Sequence, residues 1–358
     1  MANRYELQAA RIETVLGAHK VPARVMQANV TPRFVRFDIT TALGTKLTKV
    51  SNLAEELAFS LGVRSARVYR EGGVLHVEVP REVSRAVDLA GICGGLGSVP
   101  ANCAVLGVDE GGAPLLLRLD SPDVAHVLLA GTTGSGKTAL LRTLLASLAM
   151  HNHAGMLQIA LIDPKGRGFG PLGALPHIWG GRGVVQDPAA AAGLLEALVA
   201  EMERRDRVNR SLPHIVIAID ELADLLQSGG KTVGDTLQRL TQRGREAGLH
   251  VVAATQRPAA TQVDGMMKAN FPVRLVGSVV SAEDAKVASG LAGSNAERLL
   301  GRGDFLVVAK GQVIRFQAAY ADNRELAALV AQVRAGGRRR RSWSGQPTLA
   351  LPASSANG

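Results

Sequence analysis

The sequence predicts an α/β fold with a mostly parallel sheet, preceded by a small α+β subdomain. Three observations carry this reading. Between residues 126 and 310 the apolar runs HVLLAG, QIALID, IVIAIDE, HVVAATQ, VRLVGSV and DFLVVAK alternate with helical patterns, as expected of parallel strands covered on both faces. A glycine-rich loop separates the first run from the helical stretch after it. Upstream, RFVRFDI sets Phe34, Val35, Phe37 and Ile39 against Arg36 and Asp38, an alternation that suits a half-buried strand.

Taken in order, residues 4–19 place Leu7, Ala10, Ile12, Val15 and Leu16 near helical spacing. Two strand-like runs follow, ARVMQANV and, after Thr31-Pro32, RFVRFDIT. KVSNLAEELAFSLG predicts a helix with Ser51 or Asn52 as N-cap and Glu55 and Glu56 in its first turn. SARVYREGGVLHVEVP predicts a hairpin turning at Gly72-Gly73. Residues 1–92 thus form the α+β subdomain, and 93–103, within GICGGLGSVPANC, read as a linker. Residues 104–325 form the α/β unit, and 326–358 a basic low-complexity tail expected to be disordered.

A chain of 358 residues accommodates two domains with substantial cores. No run of 18 or more apolar residues occurs, so no membrane span is expected, and the N-terminus lacks the apolar core of a signal peptide. With only Cys93 and Cys103 there is no disulfide framework, and a cytoplasmic protein with reduced thiols is expected. The formal net charge of +10 points to a polyanionic partner. Half of that charge sits on Arg334 and the run Arg338 to Arg341, after the last acidic residue, Glu325. The tail could hold nucleic acid or acidic lipid headgroups. Aromatic residues make up 3% of the chain, too few for base-stacking platforms.

The loop itself matches GxxxxGK[ST]: Gly131, Thr132, Thr133, Gly134, Ser135, Gly136, Lys137 and Thr138 stand between a strand and a helix. Backbone N–H groups in such a loop turn inward around phosphate oxygens, and the helix points its positive end at them. Lys137 would reach the β- and γ-phosphates of ATP, and Thr138 would ligate Mg²⁺. IVIAIDE ends in Asp220 and Glu221. An acidic pair there often only caps a helix, but beside a phosphate loop Asp220 would hold Mg²⁺ and Glu221 would polarise the attacking water. HVVAATQ ends in Gln256, placed to sense the γ-phosphate. These residues describe a P-loop ATPase.

Several segments together resemble the FtsK/SpoIIIE family of double-stranded DNA translocases, in that family's order: HVLLAGTTGSGKT, LIDPKG, LVAEMERRDRV, IVIAIDELADLL, LTQRGREAGLHVVAATQRP, GMMKANFPVRLVGSV and LLGRGDFLV. VTPRFVRFDI, VSNLAEELAFSLG, VRSARVY and HVEVPR look like its α subdomain. The resemblance implies a RecA-like P-loop ATPase core assembled as a homo-hexameric ring, with duplex DNA in its pore and nucleotide between subunits. The family's trans-acting arginine matches Arg245, with Arg243 close by. Pore-loop contacts to DNA phosphates would come from Lys231 in QSGGKTVGD and from Arg257, Lys268 and Arg274 in RPAATQVDGMMKANFPVR.

Members of this family act in chromosome partition and cell division, with membrane-anchored or recombination partners not visible in this chain. Many carry transmembrane helices before the motor and a winged helix after it, and neither is evident here. SAEDAKVASG replaces the usual aspartate-serine-arginine stretch, and DPKGRGFGPLG departs from the usual sequence after DPK. A conjugative plasmid DNA-transfer ATPase of the same superfamily is the alternative expectation. A secretion-system ATPase that moves protein is a further one.

Overall fold

The computed structural model describes residues 2–31, 34–42, 44–63, 65–71, 73–81, 86–258, 265 and 270–336. Two compact units result, one of residues 1–86 with 110–112, the other of 87–109 and 113–358.

In the first unit α1 (Ala2–Ala18) precedes β1 (Ala23–Val30) and β2 (Phe34–Thr41); then come α2 (Leu47–Ser51), α3 (Ala54–Leu61), β3 (Arg67–Glu71) and β4 (Val74–Pro80). The sheet is antiparallel in the order β1-β2-β4-β3. The alternation in β2 is realised: Val35, Phe37 and Ile39 join Val77 and Val79 of β4 in a core completed by Ile12, Leu16 and Leu57 from the helices. Two local expectations are corrected. Leu7 is exposed, and α1 turns Tyr5 and Ala9 inward with Ile12 and Leu16 instead. Neither Ser51 nor Asn52 caps α3; Ser51 ends α2, and the N-cap is Leu53, whose side chain is buried in the core.

The second unit begins with β5 (Val87–Asp88), α4 (Leu89–Gly95), β6 (Cys103–Asp109), β7 (Pro114–Arg118), β8 (Val127–Ala130), α5 (Lys137–His151), β9 (Leu157–Ile162) and β10 (Val184–Val185). It continues with α6 (Pro188–Arg207), β11 (His214–Ile219), α7 (Leu222–Arg243), β12 (Leu249–Thr255), β13 (Val273–Val276), α8 (Ala282–Ser289), β14 (Asp304–Ala309), β15 (Gln312–Tyr320) and α9 (Asn323–Arg334). Its sheet runs β10-β9-β11-β12-β8-β13-β14-β15-β6-β7, parallel from β10 to β13. The period of two sends alternate residues to opposite faces. Thus Val127, Leu129, Val216, Ala218, Val252 and Ala254 pack with Leu140, Leu141, Leu144, Leu145 and Leu148 of α5. Leu128, Ile215, Ile217, Ile219, Val251 and Ala253 pack with α6 and α7. Each fully buried leucine of α5 contributes roughly 2 kcal/mol by leaving water, which fixes the helix that follows the glycine-rich loop.

Here too the structure departs from sequence expectation. DFLVVAK is not a further parallel strand: β14 runs antiparallel to β13 and starts an antiparallel edge with β15, β6 and β7. The glycine-rich stretch after Asp88 is helical as far as Gly95, because the Asp88 carboxylate accepts from the N–H groups of Ala90 and Gly91 and Cys93 enters the core. The beginning of the expected tail is also ordered. A capping box between Asp322 and Glu325 starts α9, and its Leu326, Leu329 and Val330 are buried. The rest of the tail, 337–358, lies outside the described residues. No helix among the described residues is long and apolar enough to cross a membrane.

Three histidines line the N-terminal edge of the parallel strands. His250 donates from Nδ1 to the Ala125 carbonyl at 3.0 Å, so in its neutral form Nε2 accepts from Nδ1 of His214, also at 3.0 Å. His126 accepts from the Val251 N–H at 2.9 Å. Burial, then the neighbouring His250, depresses His126 to about 3; burial depresses His250 to about 4, where Arg245 adds to the effect and Asp120 opposes it. The unfolded state therefore binds protons that the folded state refuses between pH 6.5 and these values. Stability is full above about pH 6.5 and falls as the pH drops, by up to ~1.4 kcal/mol per pH unit for each of these two histidines. Urea unfolding at pH 7.5, 6.5 and 5.5 should show this decline below pH 6.5; a flat profile would refute it.

Candidate functional site

The loop 131–136 leaves the C-terminal end of β8, which lies between β12 and β13 in the sheet. Gly136 caps α5 at φ 104°, and a Cβ there would meet the Gly303 nitrogen at 2.9 Å, so the position takes only glycine. Two later segments brace the loop. The Thr132 N–H and hydroxyl both donate to the Ser278 carbonyl, at 2.8 and 3.0 Å. The N–H groups of Arg302 and Gly303 donate to the carbonyls of Gly134 and Ser135, at 3.0 and 2.8 Å. Arg302 has φ 49° between Gly301 at 67° and Gly303 at 94°. The signal for this brace in the sequence is the glycine-arginine-glycine of LLGRGDFLV.

Lys137 is buried, and its ammonium donates to the carbonyls of Gly131 and Thr132 at 2.7 and 2.9 Å. Burial pushes it down to about 8, against the opposing effect of Glu221 and Asp220. An ammonium held among neutral carbonyls, at a helix N-terminus, is a fitting receptor for a phosphate. Thr138 Oγ1 donates to Asp220 Oδ1 at 2.9 Å. Burial raises the Asp220 pKa, and the nearby Asp163 and Glu221 add to it. A hydroxyl and a carboxylate so close make an oxygen-donor pair that suits a hard divalent cation.

Glu221 is 4% exposed, and its two carboxylate oxygens accept from the Gln256 N–H at 3.1 and 3.2 Å. The Gln256 side chain accepts from Thr133 Oγ1 at 2.6 Å. One chain of hydrogen bonds therefore ties the loop, the end of β12 and the acidic end of β11 together. Asp163, just past the end of β9, joins the site beyond the residues expected from the sequence. It is buried and accepts from the N–H groups of Lys165, Gly166 and Gly168, at 3.1, 3.0 and 2.6 Å. Lys165 in turn pairs with Asp224 at 2.6 Å. The signal for this turn was LIDPKG, a strand ending in an Asx-type turn.

Arg245 stands apart from all of these. It lies on the turn between α7 and β12, exposed, whereas Gln256 follows the other end of that strand. β12 spans 7 residues; at about 3.3 Å per residue its ends are roughly 20 Å apart. Arg243 is engaged within the chain, pairing with Asp206 at 2.7 Å. Of the cations assigned to pore loops, Lys231 is exposed directly after a break: α7 is two helical segments that meet at Gly230, whose φ of 59° and ψ of −151° are not helical. The glycines thus interrupt the helix, while Leu226 before the break and Val233 and Leu237 after it are buried. Arg257 is exposed just beyond Gln256. Arg274 is half-buried in β13, its guanidinium lying over Gly290 at the end of α8. Lys268 falls outside the described residues.

Residues 2–81 match the FtsK alpha domain, and residues 98–211 and 206–260 match the FtsK/SpoIIIE family. Among curated proteins, the DNA translocase SftA of Bacillus subtilis (strain 168) is 33% identical over 358 residues, covering 92% of this chain and 37% of that one. The DNA translocase FtsK of Staphylococcus aureus (strain Mu50) is 32% identical over 349 residues, covering 88% and 43%. The chain thus spans about two fifths of the length of these relatives. Among solved structures, the conjugation coupling protein TcpA of pCW3, in a monomer form with ATPγS, superposes with a TM-score of 0.60 at 18% identity, over 91% of this chain and 99% of that one. The cytoplasmic domain of the type VII secretion ATPase EccC from Thermomonospora curvata gives 0.55 at 23% identity, over 65% and 31%. At these identities the structures bear on the fold alone, which is that of the P-loop ATPases. The matched segments span both units of the chain, both relatives are DNA translocases and one is named FtsK, and the chain belongs to the FtsK/SpoIIIE family.

Proposed function

We propose that this chain is the motor part of an ATP-hydrolysing hexameric ring that translocates double-stranded DNA. The observation that carries the reading is the buried carboxylate of Glu221, held by Gln256 beside the Thr138–Asp220 pair and the phosphate-type loop. In this reading the loop N–H groups from Thr132 to Thr138 and the Lys137 ammonium bind the phosphates of ATP. Thr138 and Asp220 hold Mg²⁺, which when bound neutralises charge on the phosphate oxygens. Glu221 takes the proton of the attacking water. Gln256, bonded to both Thr133 and Glu221, reports whether the γ-phosphate is present.

Arg245 completes a neighbouring subunit's site. It is too far from its own loop to act within one chain, and its exposure fits a contact across an interface. Lys231, Arg257, Lys268 and Arg274 are the proposed contacts to DNA phosphates, which suit a motor that must grip any sequence. The burial of Arg274 makes it the weakest of the four.

The test is ATP turnover with and without long linear duplex DNA, together with a mass measurement of the assembled particle. Stimulation by duplex but not by single strands, in a hexamer, is the expected result. Absence of both duplex binding and stimulation would refute the proposal. Lys137→Ala should weaken nucleotide binding by about 10- to 100-fold, the equivalent of one charge-assisted contact of ~1.5–3 kcal/mol, as read by titration with a fluorescent ATP analogue.

A further inference from the structure

The helix α6 ends in GluMetGluArgArgAspArg, residues 201–207, which in sequence looks like a solvated charged face. One of its charges is not solvated. Arg205 is 1% exposed and is among the largest fully buried side chains of the described residues. Its Nε donates to Glu201 at 2.7 Å, and its Nη1 donates to the carbonyls of Ala247 at 2.9 Å and Ser211 at 3.3 Å. Ala247 belongs to the turn that carries Arg245.

The same turn is held at other points. Arg243 pairs with Asp206, the residue after Arg205, at 2.7 Å. The Leu249 N–H donates to the Gly244 carbonyl at 2.8 Å and the Gly248 N–H to the Arg245 carbonyl at 3.0 Å. Gly248, at φ 75°, is pressed so close to the chain at Ser211 that a Cβ would lie 1.9 Å from its carbonyl oxygen. Residues 243, 244, 247 and 248 are therefore fixed from both sides, while Arg245 and Glu246 between them are exposed.

Burying a guanidinium against a partly exposed carboxylate is an expensive way to fill space, since an apolar side chain of similar volume often serves stability as well or better. What an apolar residue could not supply is a planar donor fork whose Nε binds Glu201 while its Nη1 joins the Ala247 and Ser211 carbonyls. We infer that Arg205, seated by Glu201, is a positioning residue for Arg245: it fixes the turn so that the exposed guanidinium is presented in one place to the adjoining subunit. This rests on the reading of Arg245 as a trans-acting group. A displacement of about 1 Å in such a group costs on the order of 10²-fold in rate, which gives the α6 end a direct hold on turnover at a site in another chain.

The experiment mixes two variants of the full chain in the presence of duplex DNA. Arg245→Ala chains keep the nucleotide loop and lack the arginine; Lys137→Ala chains keep the arginine and lack the loop lysine. Turnover restored on mixing is the baseline, and no restoration overturns the trans reading and this inference with it. Arg205→Lys, which keeps the charge but not the fork, is then placed in one chain at a time. In the Lys137→Ala chain it should lower the restored turnover at least tenfold; in the Arg245→Ala chain it should change it less than twofold. A merely structural role would lower both arms alike, and that outcome, or no change in the first arm, overturns the inference while leaving the trans reading intact. If Arg205→Lys fails to fold, Glu201→Gln serves in the same two arms with the same expected asymmetry.

Discussion

Arg245→Ala is expected to cut DNA-stimulated ATP turnover by roughly 10³- to 10⁵-fold, the contribution of an arginine supplied to a transferring phosphoryl group, with nucleotide affinity unchanged. The dissociation of the two effects is the point. The loop, Lys137, the Thr138–Asp220 pair and Glu221 all lie at the C-terminal ends of the parallel strands, and Arg245 lies before the N-terminal end of β12. Removing it leaves every ligand of the same chain's nucleotide in place. Arg243→Ala provides the contrast: its guanidinium is already paired with Asp206, so its loss should lower turnover far less, through a loosened turn. Steady-state turnover and a fluorescent-nucleotide titration of each variant decide between these outcomes. Unaltered turnover in Arg245→Ala would remove the residue from the trans role.

The reach of sequence reasoning followed the range of the interactions involved. The loop 131–138, the acidic pair after β11 and Gln256 are legible because each is a short string whose neighbours announce a strand end. The alternation of faces along β8, β11 and β12 is legible for the same reason. What escaped depended on distant partners or on competing local signals. Arg205 reads as one more surface charge until α6 is packed against the turn after α7. The glycine-arginine-glycine at 301–303 announces only a turn until it meets the phosphate-type loop. The two glycines of α7 mark a real break at Gly230, but that the helix resumes at once beyond it, with Val233 and Leu237 buried, is not visible locally. The direction of β14 is set by its pairing with β13 and β15, and an apolar run carries no mark of direction.

Glu221→Gln tests the chemical step itself. The amide is nearly isosteric with the carboxylate, and its oxygen can still accept from the Gln256 N–H, so the hydrogen-bond chain through Thr133 is preserved. Lost is the capacity to take a proton from the attacking water, a contribution of about 10²- to 10⁴-fold. Hydrolysis in a single turnover should fall by that factor while ATP remains bound, giving a chain arrested with its γ-phosphate in place. Glu221→Ala should behave differently, because it also removes the acceptor of the Gln256 N–H and so cuts the link between β11 and β12, at a cost of about 0.5–1.5 kcal/mol. The pair of variants therefore separates chemistry from scaffolding: equal arrest with intact stability in the glutamine variant only is the expected pattern. A glutamine variant that hydrolyses ATP within threefold of the parent rate would take the proton-accepting role away from Glu221 and leave it as a brace for β12.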